Sequence, residues 1–396
     1  MTKLRGATLV STLALAAALG APASADVVIG YLAAMTGAAS DMTGESALHA
    51  VQMAIDDFGG TVNGEPIRVL SADHAGQPDT GLAIARQWVD EEHVNLLLNV
   101  DNSAVALAVS DLIRDRDVSM MMGASSTRLI GESCGPHQTM MLLDSGTLAR
   151  AVVAPQVAAG ANSWYFITVD YALGHDLQAQ AQATIEAGGG QVLGESVHSF
   201  QTSDFSAFLL QAQSSGATNI ALATFGSWQN TIVRQAAEFG VSQALSPFYL
   251  AITDIHSAGL ENYQNVTGTT IFYWDLNDGT RAFAQRFMEG YPRPPTFPNA
   301  YHYEMTRHYL RAVEAVGSTN ADAVNEWMRA HPVENVDGNT ATIRADGATV
   351  RTVYPFRTKT VAESTGEWDL LEILGAVDGE TVVGPLADST CPLVHG

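Results

Sequence analysis

Apolar and polar residues fall into short alternating blocks along this chain, and one block pattern stands out. Residues 94–98 (VNLLL) are mostly apolar and predict a buried strand. A polar break at 99–102 follows, and from Ser103 the apolar residues recur at helical spacing. Because serine is a good N-cap residue, the pattern predicts a strand, a short loop and a helix that begins at Ser103.

A second copy of this pattern follows directly. Residues 118–122 predict the next strand, and the loop at 123–127 (GASST) is small and rich in hydroxyl groups. In an open parallel sheet, ligands bind outside the carboxyl ends of strands, where helix N-termini present free N–H groups. Two such loops side by side would suit a carboxylate. Ordinary strand-to-helix turns with capping serines explain the same residues equally well.

The same alternation continues through most of the chain. Strands are predicted at residues 26–34, 67–70, 137–143, 164–169, 192–197, 219–224, 248–252 and 269–273, and helices at 48–58, 78–92, 146–159, 174–187, 205–214 and 229–239. Such alternation is typical of βαβ units with parallel sheets. The strands and helices form two series, one before and one after about residue 143. Each series is too short for a closed barrel, so the sequence predicts an α/β fold with two doubly wound lobes.

The last third of the chain predicts segments that return to both lobes. Helices are predicted at residues 280–289, 299–316 and 321–330, and short strands at 349–356 and 368–373. These segments would cross between the lobes more than once, which makes a hinge that can close around a ligand. We therefore predict a first lobe of residues 26–143 and 275–345, and a second lobe of residues 144–274 and 346–396.

The N-terminal residues have the pattern of a secretory signal peptide. Lys3 and Arg5 precede an apolar stretch at 7–18, and Ala23-Ser24-Ala25 is a small-residue cleavage site. Cleavage after Ala25 would give an exported protein, which is periplasmic in a host with two membranes. No later stretch has the apolar length of a membrane helix, so we expect a chain that is not embedded in the membrane.

The formal net charge of -23 argues against nucleic-acid binding, which needs basic side chains to neutralise phosphates. The two cysteines, Cys134 and Cys391, favour one disulfide in an exported protein, with two buried free thiols as the alternative.

Several motifs of enzymes and metal sites are missing from the sequence. It has no phosphate-binding GxxxxGK[ST] loop, no HExxH, no GxSxG and no CxxC, and its eleven histidines are scattered singly. We therefore expect a protein that is not an enzyme and that needs neither a cofactor nor a metal ion.

Seven segments, in this order and spacing, carry a family resemblance: residues 27–58, 99–109, 122–127, 164–177, 202–217, 234–240 and 390–394. On these segments the chain resembles the type I periplasmic solute-binding proteins of the Leu/Ile/Val-binding class, which serve ABC importers. The resemblance implies a monomer that captures a small carboxylate between its lobes and presents it to permease subunits. The segment WYFITVDYALGH at 164–175 is similar to a subgroup associated with aromatic carboxylates rather than amino acids.

The resemblance also implies which residues bind the ligand. The carboxylate would lie at Asn102, Ser103 and the loop Ala124, Ser125 and Ser126, and the body of the ligand against Tyr171, Leu173 and Phe225. Leu173 stands where amino-acid binders carry an aromatic residue, which argues against an amino acid. Asp254 would hold an ammonium group, or alternatively cap a helix. Asp41 would line the rim, and Tyr303, with its neighbour Tyr301, would reach the cleft or pack in the interior.

Two other function classes stay open from the sequence. Similar lobes also serve as ligand-sensing domains of signalling receptors, although this chain shows no fused signalling segment. An enzyme that uses a single serine or aspartate would convert its ligand, whereas a binding protein would return the ligand unchanged.

Overall fold

The computed structural model describes residues 26–395, so the predicted signal peptide lies outside the described residues. The strands are β1 (Val27–Ala33), β2 (Thr61–Val62), β3 (Glu65–Asp73), β4 (Leu96–Asn99), β5 (Ser119–Met122), β6 (Gln138–Met140), β7 (Ser163–Val169), β8 (Gln191–His198), β9 (Asn219–Ala223), β10 (Ala244–Pro247), β11 (Thr267–Thr270), β12 (Val333–Glu334), β13 (Thr340–Ile343), β14 (Thr349–Val350), β15 (Tyr354–Thr358) and β16 (Leu371–Ile373).

The helices are α1 (Ser40–Thr43), α2 (Glu45–Asp57), α3 (Pro78–Asp90), α4 (Ser103–Ile113), α5 (Ser145–Ala158), α6 (Ala172–Ala187), α7 (Ser206–Ser214), α8 (Gly226–Glu238), α9 (Ile252–Ala258), α10 (Leu260–Tyr263), α11 (Asp278–Met288), α12 (Phe297–Val316), α13 (Ala321–Ala330) and α14 (Pro392–His395). Among these described residues, no helix is both long enough and apolar enough to cross a lipid bilayer.

The first lobe is built on a sheet with the strand order β2-β3-β1-β4-β5-β6. All neighbours in this sheet pair in parallel except β2, which forms an antiparallel hairpin with β3. Strand β4 shows why the apolar run predicts burial on both faces. Leu96 and Leu98 pack on one side of the sheet and Leu97 on the other, in two separate hydrophobic clusters.

The second lobe is built on a parallel sheet with the order β10-β9-β7-β8. Its central strand β7 is also buried on both faces, with Trp164 and Phe166 on one side and Tyr165 and Ile167 on the other. Two parallel sheets flanked by helices confirm the predicted two-lobed α/β fold. Each sheet directs the carboxyl ends of its strands toward the other lobe, which places the loops there on the same cleft.

The C-terminal part of the chain is distributed between the lobes differently from the predicted range 346–396. Strand β14 pairs with β13, and Ala348 bridges to Met140 at the edge of the first-lobe sheet. Strands β15 and β16 instead form a small antiparallel sheet with β11. The difference arises because a short strand gains its hydrogen bonds from whichever sheet edge it meets, which its own sequence does not specify.

The predicted disulfide is confirmed. Cys134 and Cys391 are bonded, with their Cα atoms 5.7 Å apart. Ser389 also donates a hydrogen bond to the carbonyl oxygen of Ile130 at 3.4 Å. The C-terminal tail is therefore fastened to the first lobe, although the predicted boundaries assigned it to the second.

The predicted strand at 248–252 is wrong. Strand β10 ends at Pro247, which lacks an N–H group for further pairing, and helix α9 begins at Ile252. Phe248 and Leu250 are nonetheless buried, at 1% and 3% exposure, because this segment forms a loop between the lobes. An apolar run in a buried loop has the same sequence pattern as a short buried strand.

The start of helix α4 also differs from the prediction. The N-cap is Asn102, whose side-chain oxygen accepts hydrogen bonds from the N–H groups of Ala104 and Val105 at 3.0 and 3.1 Å. Asparagine caps as well as serine does, so the sequence alone does not choose between the two. Ser103 is therefore the first residue of the helix, and its side chain points into the protein with 0% exposure.

Candidate functional site

A cavity of about 480 Å³ lies between the two lobes, at the carboxyl ends of the strands of both sheets. Loops from the first lobe and the start of helix α12 form one wall, and loops after β7, β8, β9 and β10 form the other. This is the place where open parallel sheets bind ligands.

The second-lobe wall is aromatic. It consists of Tyr171, Phe200, Phe225, Trp228 and Tyr249, which we call the aromatic wall. Neighbouring rings are in contact, with centroid separations from 5.1 Å for Phe200 and Trp228 to 6.4 Å for Phe225 and Tyr249. Such a surface fits a planar or branched apolar group.

The first-lobe wall contains one carboxylate, that of Asp101. It accepts hydrogen bonds from the backbone N–H of Ala34 at 3.0 Å, from Nε2 of His74 at 2.6 Å and from the hydroxyl of Thr43. Nδ1 of His74 accepts from the N–H of Gly76 at 3.0 Å, so the proton of the neutral imidazole is on Nε2. The carboxylate of Asp101 therefore accepts three hydrogen bonds from the protein itself.

Within residues 26–395, no lysine or arginine lines the cavity. Instead, the N-cap residues of four long helices line it: Gln77 of α3, Asn102 of α4, Tyr171 of α6 and Phe225 of α8. Helix N-termini carry partial positive charge and unpaired N–H groups. Helix N-termini of this kind can bind an anionic group without a lysine or arginine side chain.

The lobes touch on both sides of the cavity. On one side, Thr127 of the first lobe donates two hydrogen bonds to Asp176 on helix α6 of the second lobe. On the other, Gly226 lies so close to Ala38 that a Cβ atom on Gly226 would be 2.0 Å from the Ala38 carbonyl oxygen. These contacts enclose the cavity, so the structure shows a closed arrangement of the lobes.

Five of the predicted site residues line the cavity: Asn102, Ser125, Tyr171, Leu173 and Phe225. Six do not belong to its lining: Ser103, Ala124, Ser126, Asp41, Asp254 and Tyr303. Ser103 and Ser126 are completely buried, and their hydroxyl oxygens have no hydrogen-bond partner within residues 26–395. Ala124 packs in a hydrophobic cluster of the first lobe.

Asp254 is engaged inside the second lobe. Its carboxylate accepts hydrogen bonds from the N–H of Ala251 at 2.9 Å and from Nδ2 of Asn230 at 3.3 Å, as expected of a helix-capping residue. Burial raises the pKa of Asp254 to about 6. These contacts match the alternative of a helix cap, and they leave the carboxylate outside the cavity wall.

The other two outlying residues are in the first lobe, where Tyr303 is buried in the hydrophobic core and Asp41 is exposed. The hydroxyl of Tyr303 donates to Asp57 at 2.5 Å and accepts from Arg286 at 3.3 Å, which holds it away from the cleft. Asp41 is exposed, and its carbonyl oxygen accepts a hydrogen bond from Arg293 at 2.8 Å. Tyr301, two residues before Tyr303 on α12, does line the cavity.

Sequence reasoning missed several lining residues, above all Phe200, Trp228 and Tyr249. Phe200 follows strand β8 and Tyr249 follows β10, so the rule that ligands meet the carboxyl ends of strands could have found both. Within residues 26–395, no group of three His, Cys, Asp or Glu side chains is placed to hold a metal ion.

Comparisons with known proteins give the same architecture. The sequence profile of the periplasmic binding protein family matches residues 26–366. A periplasmic binding protein from Burkholderia mallei is 34% identical, with 93% of this chain and 99% of that chain covered and a TM-score of 0.90. A branched chain amino acid ABC transporter periplasmic ligand-binding protein from Burkholderia xenovorans LB400 is 33% identical, with 93% and 100% covered and a TM-score of 0.82.

A more distant solved structure shares the fold. It is a solute binding protein of an ABC transporter from R. palustris in complex with benzoate, 18% identical, with 89% of this chain and 97% of that chain covered and a TM-score of 0.81. The resemblance found in the sequence is thus confirmed. The chain belongs to the periplasmic binding protein family, has its two-lobed type I fold, and has solute-binding proteins rather than enzymes as homologues.

Proposed function

We propose that this protein is the periplasmic solute-binding component of an ABC importer and that it captures a small carboxylate with an apolar, preferably aromatic, body. The observation that carries this proposal is the composition of the closed cavity. It combines the aromatic wall with the N-termini of four long helices, and residues 26–395 place no lysine or arginine in its lining. An anionic head on an aromatic or hydrophobic body matches both features.

Binding and closure are coupled in this proposal. The carboxylate lies near Asn102 and Ser125, while the body of the ligand packs on the rings of the aromatic wall. Contacts with both walls exist only when the lobes are closed, so the ligand shifts the equilibrium toward the closed form. The closed monomer then presents the ligand to the permease subunits, and the ligand is released unchanged.

An aromatic acid fits the cavity better than an amino acid does. An ammonium group needs an acceptor, but Asp254 lies outside the lining and Asp101 already accepts three hydrogen bonds. The benzoate-bound structure shows that this fold accommodates such an acid. A hydrophobic amino acid is the second candidate, because the Burkholderia xenovorans relative is named for branched-chain amino acid transport.

A thermal-shift screen tests the proposal. Two panels are compared: benzoate, 4-hydroxybenzoate, cinnamate and phenylpyruvate in one, and leucine, isoleucine, valine and phenylalanine in the other. A ligand at 100 times its dissociation constant stabilises the protein by about 2.7 kcal/mol, which the assay detects. We expect stabilisation by the first panel, whereas a response to neither panel would contradict the proposal.

Two controls separate the other function classes. Mass spectrometry of the recovered ligand should show it unchanged, because an enzyme would convert it. Reconstitution with the permease subunits in vesicles should give ligand uptake, whereas a receptor domain would support no transport.

A further inference from the structure

Three tyrosine hydroxyl groups of the cavity wall have no hydrogen-bond partner within residues 26–395. Tyr301 belongs to helix α12 of the first lobe, and Tyr171 and Tyr249 belong to the second lobe. Buried tyrosine hydroxyls normally find a partner. Tyr263, for example, pairs with Asn230 at 2.9 Å.

The three hydroxyl groups lie in the same part of the cavity. The hydroxyl of Tyr301 is 3.2 Å from the position that a Cβ atom on Gly123 would occupy. The hydroxyl of Tyr249 lies beside the side chain of Ser125, which is on the same loop as Gly123, but the two do not meet hydrogen-bond geometry. In the aromatic wall, the ring of Phe225 contacts both the ring of Tyr171 and the ring of Tyr249.

All three hydroxyl groups are donors under ordinary conditions. Burial is the main cause that raises the pKa of Tyr171 and Tyr301, and the nearby Tyr249 and Asp101 raise both further. Burial also raises the pKa of Tyr249. Each group therefore keeps its proton and has it available for an acceptor.

The missing partner has the chemistry of a carboxylate. Leaving a buried hydroxyl such as that of Tyr249 unpaired is costly, and the hydroxyls of Tyr171 and Tyr301 on the same cavity also form no hydrogen bond within residues 26–395, so together they indicate an acceptor that the ligand supplies. An ionised carboxylate has two oxygens with about four lone-pair sites and accepts several donors at once. Asp101, the one carboxylate that residues 26–395 place in the wall, accepts hydrogen bonds from Ala34, His74 and Thr43 and none from these tyrosines.

We propose that the hydroxyl groups of Tyr171, Tyr249 and Tyr301 together bind the carboxylate of the ligand. Because Tyr301 is in the first lobe and the other two are in the second, the carboxylate joins the lobes and holds them closed. The family resemblance instead implies that the first lobe alone binds this group. The inference rests on the proposed function, since it assigns residues to the ligand of that same cavity.

The test replaces each hydroxyl separately and compares an acid with its neutral amide. The probe is whichever of benzoate, 4-hydroxybenzoate, cinnamate, phenylalanine and leucine binds the full-length, exported protein most tightly, together with the primary amide of that compound. Isothermal titration calorimetry then measures both compounds with Tyr171→Phe, Tyr249→Phe and Tyr301→Phe.

Tyr309→Phe is the matched control. Tyr309 is on the same helix as Tyr301, and its hydroxyl is also buried without a partner in residues 26–395, but it does not line the cavity. We expect each cavity variant to bind the acid about 10- to 100-fold more weakly and to lose less affinity for the amide, because the bond to a charged acceptor is stronger. The control should bind both compounds as the unmodified protein does.

The outcomes separate this inference from the proposed function. If the unmodified protein binds one of the acids but the three variants bind it equally well, the inference is overturned and the proposed function stands. Equal losses for acid and amide would also overturn it, because the hydroxyls would then support only the shape of the cavity. If the unmodified protein binds none of the probes, the proposed function fails and the inference fails with it.

Discussion

Asp176 on helix α6 accepts two hydrogen bonds from Thr127, one from the backbone N–H and one from the side-chain hydroxyl, both at 2.7 Å. The two residues belong to different lobes, and neither lines the cavity. The pair therefore stabilises the closed arrangement without touching a ligand. Its contribution to affinity comes from the equilibrium between open and closed lobes.

Replacing Asp176 with asparagine should weaken ligand binding without altering the cavity. Asparagine offers one acceptor oxygen in place of two, so one charge-assisted hydrogen bond of about 1.5 kcal/mol is lost. We expect about tenfold weaker binding, expressed mainly as faster dissociation in stopped-flow measurements. Asp170→Asn is the control, because Asp170 bonds to His175 within the second lobe. Equal effects of the two variants would contradict the cross-lobe role of Asp176.

Gly226→Ala should hinder closure. The added Cβ atom would lie 2.0 Å from the carbonyl oxygen of Ala38 on the other lobe, and Gly226 also has φ +58. Overpacking of this size typically costs 1–3 kcal/mol, so we expect about 10- to 100-fold weaker binding by calorimetry. Gly240→Ala separates the clash from backbone strain, because Gly240 has φ +64 but nothing within 4 Å of its added Cβ. That variant should lose stability but keep its affinity.

Removing the disulfide should lower stability but not affinity. The bond between Cys134 and Cys391 joins residues 257 positions apart and thereby restricts the unfolded chain. Replacing both cysteines with serine should reduce the free energy of unfolding by about 2–4 kcal/mol in urea denaturation. Neither cysteine lines the cavity, so ligand affinity should stay within about twofold of the original. A large loss of affinity would show that the tail also positions the lobes.

The stability contributed by Asp254 should depend on pH. Its folded-state pKa of about 6 lies above the ordinary value of 3.8, so the folded protein binds the proton more tightly than the unfolded chain does. This contribution is present below about pH 4 and is lost as the pH rises through 6. Asp254→Asn removes the titrating group, so the difference in unfolding free energy between the two proteins should change by about 2 kcal/mol from pH 4 to pH 7. A constant difference would show that Asp254 keeps an ordinary pKa.

The sequence predicted the fold well because the central strands of both sheets are buried on both faces. A continuous apolar run such as Leu96 to Leu98 is typical of a central strand in a parallel sheet. The same reasoning failed at Phe248 and Leu250, where a loop between the lobes is buried as deeply as a strand. Burial can be predicted from apolar sequence, but the hydrogen-bond pattern of the buried segment cannot.

The cavity was predicted in position but only partly in residues. Strand ends and helix starts indicated Asn102 and Ser125, which line the cavity. The direction of Ser103 depended on which neighbour caps helix α4, and Asn102 and Ser103 are equally good caps. Trp228 and Tyr301 face the cavity because of how helices α8 and α12 pack on the rest of the protein. This packing depends on tertiary contacts, so the residues next to each position in the sequence do not predict it.

The disulfide between Cys134 and Cys391 determines which lobe bears a force applied to the C-terminal tail. Strand β1, which begins one residue after Asp26, is in the first-lobe sheet, and the disulfide anchors Cys391 to the same lobe. Both ends of the described chain are thus attached to the first lobe. A surface tether or a pulling force at either end would load only the first lobe, so an immobilised molecule keeps its second lobe free to open and close.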